Sequence, residues 1–225
     1  MKNRIKLFGI VAIVAIIGFS FVSCDIIFGD ESGDNKPPEI PGGFKIGDTG
    51  PGGGKIFYVS VAGFVVSAGP EWPQYTAHYL EVATDPFPQE KWTTKTSGPW
   101  PKDAYDSRTS EEGIGKGRRN TAFILEVDEN APAALACVTY SKNGKDDWFL
   151  PSADELIELS RQKSLIGETG NPYVDYWSSS KSDLSTGTNT SFPYARAVQF
   201  NRNSSGSKST KEMITDLRFR AVRAF

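Results

Sequence analysis

The chain has 225 residues, of which 38% are hydrophobic and 12% aromatic, and its formal net charge is −2. This length and apolar content suffice for one domain with a substantial core, and the slightly acidic balance gives no reason to expect a nucleic-acid partner. One histidine and two cysteines are too few for a zinc cluster.

The N-terminus has the pattern of a lipoprotein signal peptide. Three basic residues fall within the first six positions, residues 7–22 carry no charge, and the small residue Ser23 precedes Cys24. We therefore interpret residues 1–23 as a signal peptide and Cys24 as the lipid-attachment site, with a cysteine that merely follows an ordinary signal sequence as the alternative. The uncharged run is shorter than the ~20 residues of a membrane-spanning helix.

Residues 24–43 follow as an acidic segment rich in proline and glycine, which predicts a flexible tether between the lipid and a single domain at residues 44–225. The domain opens with the glycine-rich stretch 47–55. This stretch fails the P-loop pattern because Ile56 follows Lys55, and the dinucleotide pattern because an apolar strand, not a helix, comes next. Two Gly-X-Y triplets are too few for collagen, so we predict turns that lead into a buried strand.

The next segments predict a mixture of α and β structure. Short strands are expected at 64–66 and 79–83, and a loop excursion at 84–112, a stretch rich in proline and tryptophan. Helices are expected after Gly117, at 131–140 and, from the capping box of Ser152 and Glu155, at 152–163.

The C-terminal part predicts strands separated by polar turns. Alternation from Ala195 to Phe200 indicates a strand, residues 201–210 indicate a turn, and residues 217–225 indicate a last strand with a bulge near Ala221.

Few residues suggest chemistry. His78 has no identifiable catalytic partner, and Cys137 lies in an apolar run typical of an inert buried thiol. Asp146 and Asp147 are weak candidates for calcium, with a solvated turn as the preferred reading. We expect no cofactor and no metal.

Two sets of side chains could contact a ligand. Trp92 and Trp100, in the loop excursion, are candidates for stacking on sugars or protein partners. The C-terminal region is basic, and these side chains could meet a polyanion or, as we prefer, balance acids elsewhere on the fold. They are Arg196, Arg202, Lys208, Lys211, Arg218, Arg220 and Arg223.

Several runs, in order, resemble the C-terminal domain of Legionella collagen-like adhesins, which also occurs in surface lipoproteins of spirochaetes. They are IGDTGPGGGKIFYV, YLEVA, GIGKGRRNTAFIL, DDWFLPSADEL, YWSSS and RAVRAF. The resemblance covers residues 45–225 and implies an α+β, C-type-lectin-like fold of short twisted antiparallel strands, with two or three helices and a long loop that carries ligand contacts. It also implies that the terminal strands pair, residues 55–59 with 218–225.

The same resemblance implies adhesion or glycan binding rather than catalysis. The chain lacks the adhesins' collagen-like repeats, the calcium motifs and disulfides of animal lectins, and the cysteine pair of the formylglycine-generating enzymes, since Cys137 stands alone. The ligand-binding candidates are Trp92, Trp100, Ser178, Ser179, Arg218 and Arg220.

We therefore expect an exported lipoprotein that is anchored in a membrane, at the periplasmic face or the cell surface, through the lipid on Cys24. Its expected partner is a polysaccharide, or an envelope or host protein. The alternatives are an envelope glycan hydrolase, which would need two facing carboxylates, and a structural lipoprotein with a protein partner.

Overall fold

The computed structural model of the protein describes residues 42–95, 111–168, 173–182, 194–201 and 205–225. All of them belong to the second of the two units into which the chain divides, Pro37–Phe225. Cys24, the signal peptide and Trp100 lie outside the described residues, so lipid attachment and the ligand contact of Trp100 stay predictions.

The described residues form an α+β fold, as predicted. In chain order the elements are β1 (Lys55–Val66), β2 (Tyr75–Val82), α1 (Gly117–Val127), α2 (Pro132–Thr139), α3 (Ala153–Arg161), a 3-10 helix (Lys163–Ile166), β3 (Tyr173–Lys181), β4 (Tyr194–Asn201), β5 (Ser207–Glu212) and β6 (Val222–Ala224).

The three predicted helices are confirmed. The capping box at the start of α3 is complete: the main-chain N–H of Glu155 donates to Ser152 Oγ, and the N–H of Ser152 donates to the Glu155 carboxylate. Pro132 occupies the first turn of α2, where its missing N–H costs nothing. None of the helices in the described ranges combines the length and the apolar character needed to cross a lipid bilayer.

The strands form two three-stranded antiparallel sheets, ordered β1-β2-β6 and β3-β4-β5. The predicted pairing of the first strand with the last is wrong, because β2 lies between them: Leu80 pairs with Ala224 and Val82 with Val222. β1 instead forms a hairpin with β2, and it includes the predicted strand 64–66 after an irregular stretch between Val59 and Phe64.

Two further expectations about the C-terminal strands need correction. Part of the predicted turn 201–210 belongs to β5, a polar edge strand that pairs with β4. The last strand is shorter than predicted, since regular pairing is confined to β6 and only isolated bridges involve Leu217 and Arg218. The chain therefore departs from strand geometry around Ala221, where the alternation of apolar residues changes phase.

The glycine-rich stretch 47–55 is a turn that leads into β1, as predicted. It closes over the fully buried Glu81, whose carboxylate accepts the N–H groups of Gly52 (3.1 Å) and Gly54 (2.6 Å). A Cβ at Gly54 would lie 2.2 Å from the carbonyl oxygen of Val82, so only glycine lets the turn approach β2 this closely.

The turn also packs beside a buried ion network. Arg223 of β6 donates to Glu81 (3.2 Å) and, through Nε and Nη2, to both oxygens of Asp147 (2.7 and 3.0 Å). The glycines thus place backbone donors on a carboxylate that would otherwise be expensive to bury.

Two clusters of buried side chains form the core. One contains Trp92, Trp148 and Trp177 and includes residues of α1 and α2. The other joins α3 to both sheets and contains Phe57 and Tyr176. Three of the five tryptophans are therefore core residues.

Candidate functional site

A shallow hollow opens at the start of β3, and we call it the Tyr173 hollow. Residues 173–175 of β3, residues 216–218 and Gln89 line it, and its volume is about 200 Å³. That is smaller than the roughly 300–1,000 Å³ of sites that enclose a small molecule. The hollow would therefore contact one face of a ligand rather than enclose it.

Main-chain hydrogen bonds join the three segments that line the hollow. The N–H groups of Glu90 and Leu217 each donate to the other residue's carbonyl oxygen, at 3.0 and 3.1 Å. The N–H of Trp177 donates to the carbonyl oxygen of Arg218 at 2.8 Å. The side chains around the hollow thus project from a connected backbone frame, which favours a preformed site.

Tyr173 gives the hollow its aromatic surface. Its side chain is 67% exposed, the largest exposed fraction among the large hydrophobic residues of the described ranges. Asp175, Asp216 and Gln89 line the hollow with it. A flat ring beside hydrogen-bonding groups suits a ligand that has an apolar face and many hydroxyls.

Two of the charged groups around the hollow, Arg218 and Asp175, are held by specific partners. Arg218 pairs with Glu168 at 2.6 Å, and Asp175 pairs with Lys211 at 2.9 Å. The Tyr176 hydroxyl also donates to Glu168. Burial, followed by this bond to Glu168, raises the pKa of Tyr176 to about 12, so the hydroxyl stays protonated and keeps its partner in place.

The placement of Trp92 corrects the sequence-based expectation of a ligand contact. Trp92 is 1% exposed, and its Nε1 donates to the carbonyl oxygen of Ser178 at 2.8 Å. The main-chain N–H of Trp92 also donates to the carbonyl oxygen of Met213, which connects the loop to the core. The ring is therefore covered and has no face on which a sugar could stack.

Ser178 and Ser179 are corrected in the same way, because both are completely buried. The Ser178 hydroxyl donates to the carbonyl oxygen of Arg196, and the N–H of Ser179 donates to that of Pro151. The serine run belongs to the interior of β3, where the Ser179 hydroxyl is buried without a hydrogen-bond partner among the described residues.

The basic C-terminal region forms no free cationic patch among the residues that the structure describes. Arg202 lies outside them, and Arg220 donates to the main-chain oxygen of Asp85 (2.9 Å), away from the hollow. The reading that these side chains balance acids is confirmed for five of the seven. The ion pairs join Arg196 and Lys208 to Glu112, Lys211 to Asp175, Arg218 to Glu168, and Arg223 to Glu81 and Asp147.

The weak calcium candidates do not form a site. Both oxygens of Asp147 bind Arg223, while Asp146 is exposed on the preceding turn. Within the described ranges, no three His, Cys, Asp or Glu side chains come together as a metal-binding group. Cys137 is fully buried, and burial raises the pKa of its thiol well above the ordinary value, which makes it unreactive.

Glu155 has the pKa of a catalytic acid but the environment of a structural residue. Burial raises the pKa of Glu155 to about 7, although the N–H groups of Ser152 (2.7 Å) and Gly115 (2.9 Å) favour the ionised form. A carboxyl with a raised pKa often marks an active site. Glu155 is completely buried, so a substrate does not reach it, and its carboxylate joins the starts of α1 and α3.

Sequence reasoning found Arg218 in the hollow but missed Tyr173, Asp175, Asp216 and Gln89. The available signal was the period of two in β3, which places Tyr173 and Asp175 on one face. That signal does not show which end of the face is open to solvent.

No known protein family matches the sequence, and no curated protein is significantly similar to it. Function must therefore be inferred from the Tyr173 hollow and from the sequence features described above.

Proposed function

We propose that this protein is a lipid-anchored, cell-envelope binding protein that recognises a saccharide at the Tyr173 hollow without chemical conversion. The observation that carries the proposal is the 67% exposed ring of Tyr173 beside the polar groups of Gln89, Asp175 and Asp216. The ring would stack on the C–H face of a sugar, while the polar groups would bind its hydroxyls.

The sequence supports the cellular context and the finer fold assignment. The basic and apolar start of the chain and Cys24 support export and lipid anchoring. The resemblance to the adhesin domain supports a C-type-lectin-like fold, and the placement of β1 and β6 in one sheet is consistent with it. A fold assignment alone would not identify a ligand, so the hollow has to carry that part of the proposal.

The test is a binding screen of the purified full chain in detergent against neutral, uronic-acid and sulfated polysaccharides. Tyr173→Ala removes the ring and should weaken binding roughly tenfold. Tyr173→Phe keeps the ring and is the matched control, which should retain most of the affinity. Binding that is unchanged in Tyr173→Ala would place the ligand elsewhere, and the absence of any glycan binding would direct attention to a protein partner.

A glycan hydrolase is the second candidate, because two carboxylates, Asp175 and Asp216, line the same hollow. One carboxyl of such a pair must be protonated to act as the acid. Lys211 holds Asp175 in an ion pair at 2.9 Å, so this carboxylate already has a protein partner, and binding is the better-supported function. Release of new reducing ends from a bound polysaccharide, lost in Asp216→Asn, would favour the hydrolase instead.

A further inference from the structure

We infer that the Tyr173 hollow selects uncharged or amino-bearing sugars and rejects uronic-acid and sulfated sugars, and that Asp216 is the residue that discriminates between them. This inference rests on the proposed function and specifies the class of ligand. It follows from the charges around the hollow and from their partners.

The only cation that lines the hollow in the described ranges, Arg218, is already neutralised. The guanidinium of Arg218 lies 2.6 Å from Glu168, which is itself held by the hydroxyl of Tyr176. A sulfate or carboxylate on a ligand would have to compete with Glu168 for Arg218. The anionic partner remains in place beside the incoming anion and would repel it.

One carboxylate of the hollow has no cation to compensate its charge among the described residues. Lys211 neutralises Asp175 at 2.9 Å, and that carboxylate is 16% exposed. Asp216, in contrast, is exposed and forms no ion pair with any residue that the structure describes. The hollow therefore carries a local negative charge at Asp216, next to the aromatic ring of Tyr173.

A hydroxyl can donate a hydrogen bond to the carboxylate of Asp216, and a protonated amino group can make a stronger, charge-assisted bond. A carboxylate or sulfate has no proton to donate and is repelled. This selectivity is opposite to the polyanion binding that the basic C-terminal composition would suggest.

The experiment uses three β-1,4-linked oligosaccharides of equal length that differ only in substituents: a glucose oligomer, a glucosamine oligomer and a glucuronic-acid oligomer. Affinities for the full chain in detergent are measured at pH 6 and low salt by isothermal titration calorimetry. We expect the glucosamine oligomer to bind most tightly and the glucuronic-acid oligomer at least fivefold more weakly than the glucose oligomer. Raising the salt concentration should reduce these differences in affinity, because the charges on Asp216 and on the ligand are both exposed to solvent.

Asp216→Asn should bring the three affinities to within about twofold of one another, and Asp216→Lys should favour the glucuronic-acid oligomer. Asp146→Asn is the matched control, since it removes the same charge from an exposed aspartate that does not line the hollow. Its affinities should keep the wild-type order. Both substituted aspartates are exposed, so we expect both variants to fold.

The outcomes separate this inference from the proposed function. Suppose that Tyr173→Ala weakens binding, but that the affinity does not depend on the ligand charge or that Asp216→Asn keeps the wild-type order of affinities. Either result would overturn the inference and leave saccharide binding intact. Tightest binding of the glucuronic-acid oligomer by the wild type would also overturn it. If none of the oligomers binds and the polysaccharide screen is negative as well, both proposals fail.

Discussion

The carboxylate of Glu81 should be one of the main stabilising groups of the domain. It is 0% exposed, accepts two N–H groups from the glycine-rich turn, and pairs with Arg223, which is 4% exposed. The substitution Glu81→Gln keeps the shape of the side chain but removes its charge. It also replaces one acceptor oxygen with an NH₂ group that faces donors.

The expected loss follows from these contacts. Breaking a buried ion pair by removing one partner costs about 3–5 kcal/mol, because the remaining charge stays buried. Asp147 still binds Arg223 after the substitution, which limits this part of the loss. At least one N–H of the turn is also left without an acceptor, which costs a further amount of about 1–3 kcal/mol in stability. We expect Glu81→Gln to lower the free energy of unfolding by about 3 kcal/mol.

The assay is urea unfolding followed by tryptophan fluorescence, since Trp148 packs close to Gly52 in this turn. Glu158→Gln is the matched control: it makes the same change in a glutamate whose ion pair, with Arg161, lies on the surface. Such a pair contributes at most about 1 kcal/mol. If the two variants lose stability to within 1 kcal/mol of each other, the assigned role of Glu81 is wrong.

Three further predictions address other parts of the fold. Burial raises the pKa of Glu155 from 4.5 to about 7, so ionisation of this carboxyl opposes folding. The stability that the protonated carboxyl contributes is complete below about pH 4.5 and is lost as the pH rises through 7. Urea titrations should show a decline of roughly 3 kcal/mol over that window that Glu155→Gln lacks. Gly54→Ala, whose Cβ would lie 2.2 Å from a β2 carbonyl oxygen, should cost at least about 2 kcal/mol. Gly113→Ala is the control and should cost close to nothing, because its Cβ would make only an ordinary contact with the Lys116 side chain at 3.7 Å. Trp92→Phe should lose about 1–3 kcal/mol with its bond to Ser178 but leave glycan binding unchanged, whereas reduced binding would return Trp92 to the site.

Local chemistry made the helices predictable. The capping box of Ser152 and Glu155 and the proline in the first turn of α2 act within four residues, so a single sequence contains the whole signal. The glycine turn was predicted for the same reason. Its partner Glu81 was not, because that residue lies 27 positions beyond Gly54 and no local pattern connects them.

The order of the strands depends on contacts that local patterns do not encode. β6 pairs with β2 rather than with β1. β5 has the sequence SKSTKE, which lacks apolar alternation because it is a solvated edge strand held by backbone bonds to β4. A polar edge strand of this kind reads as a turn from sequence alone.

The candidate site was missed because burial within β3 changes along one face. Tyr173 and Trp177 have the same parity in the strand, yet Tyr173 is 67% exposed and Trp177 is 0% exposed. The difference comes from the loop that follows β2, whose Glu90 carbonyl accepts the Nε1 proton of Trp177 and covers that ring. Gln89, the residue before Glu90, lines the hollow. Sequence reasoning selected large aromatic residues as ligand contacts by their size, whereas access to a ligand depends on which rings this loop covers. Binding should therefore depend on the exposed ring of Tyr173 rather than on any described tryptophan of the core.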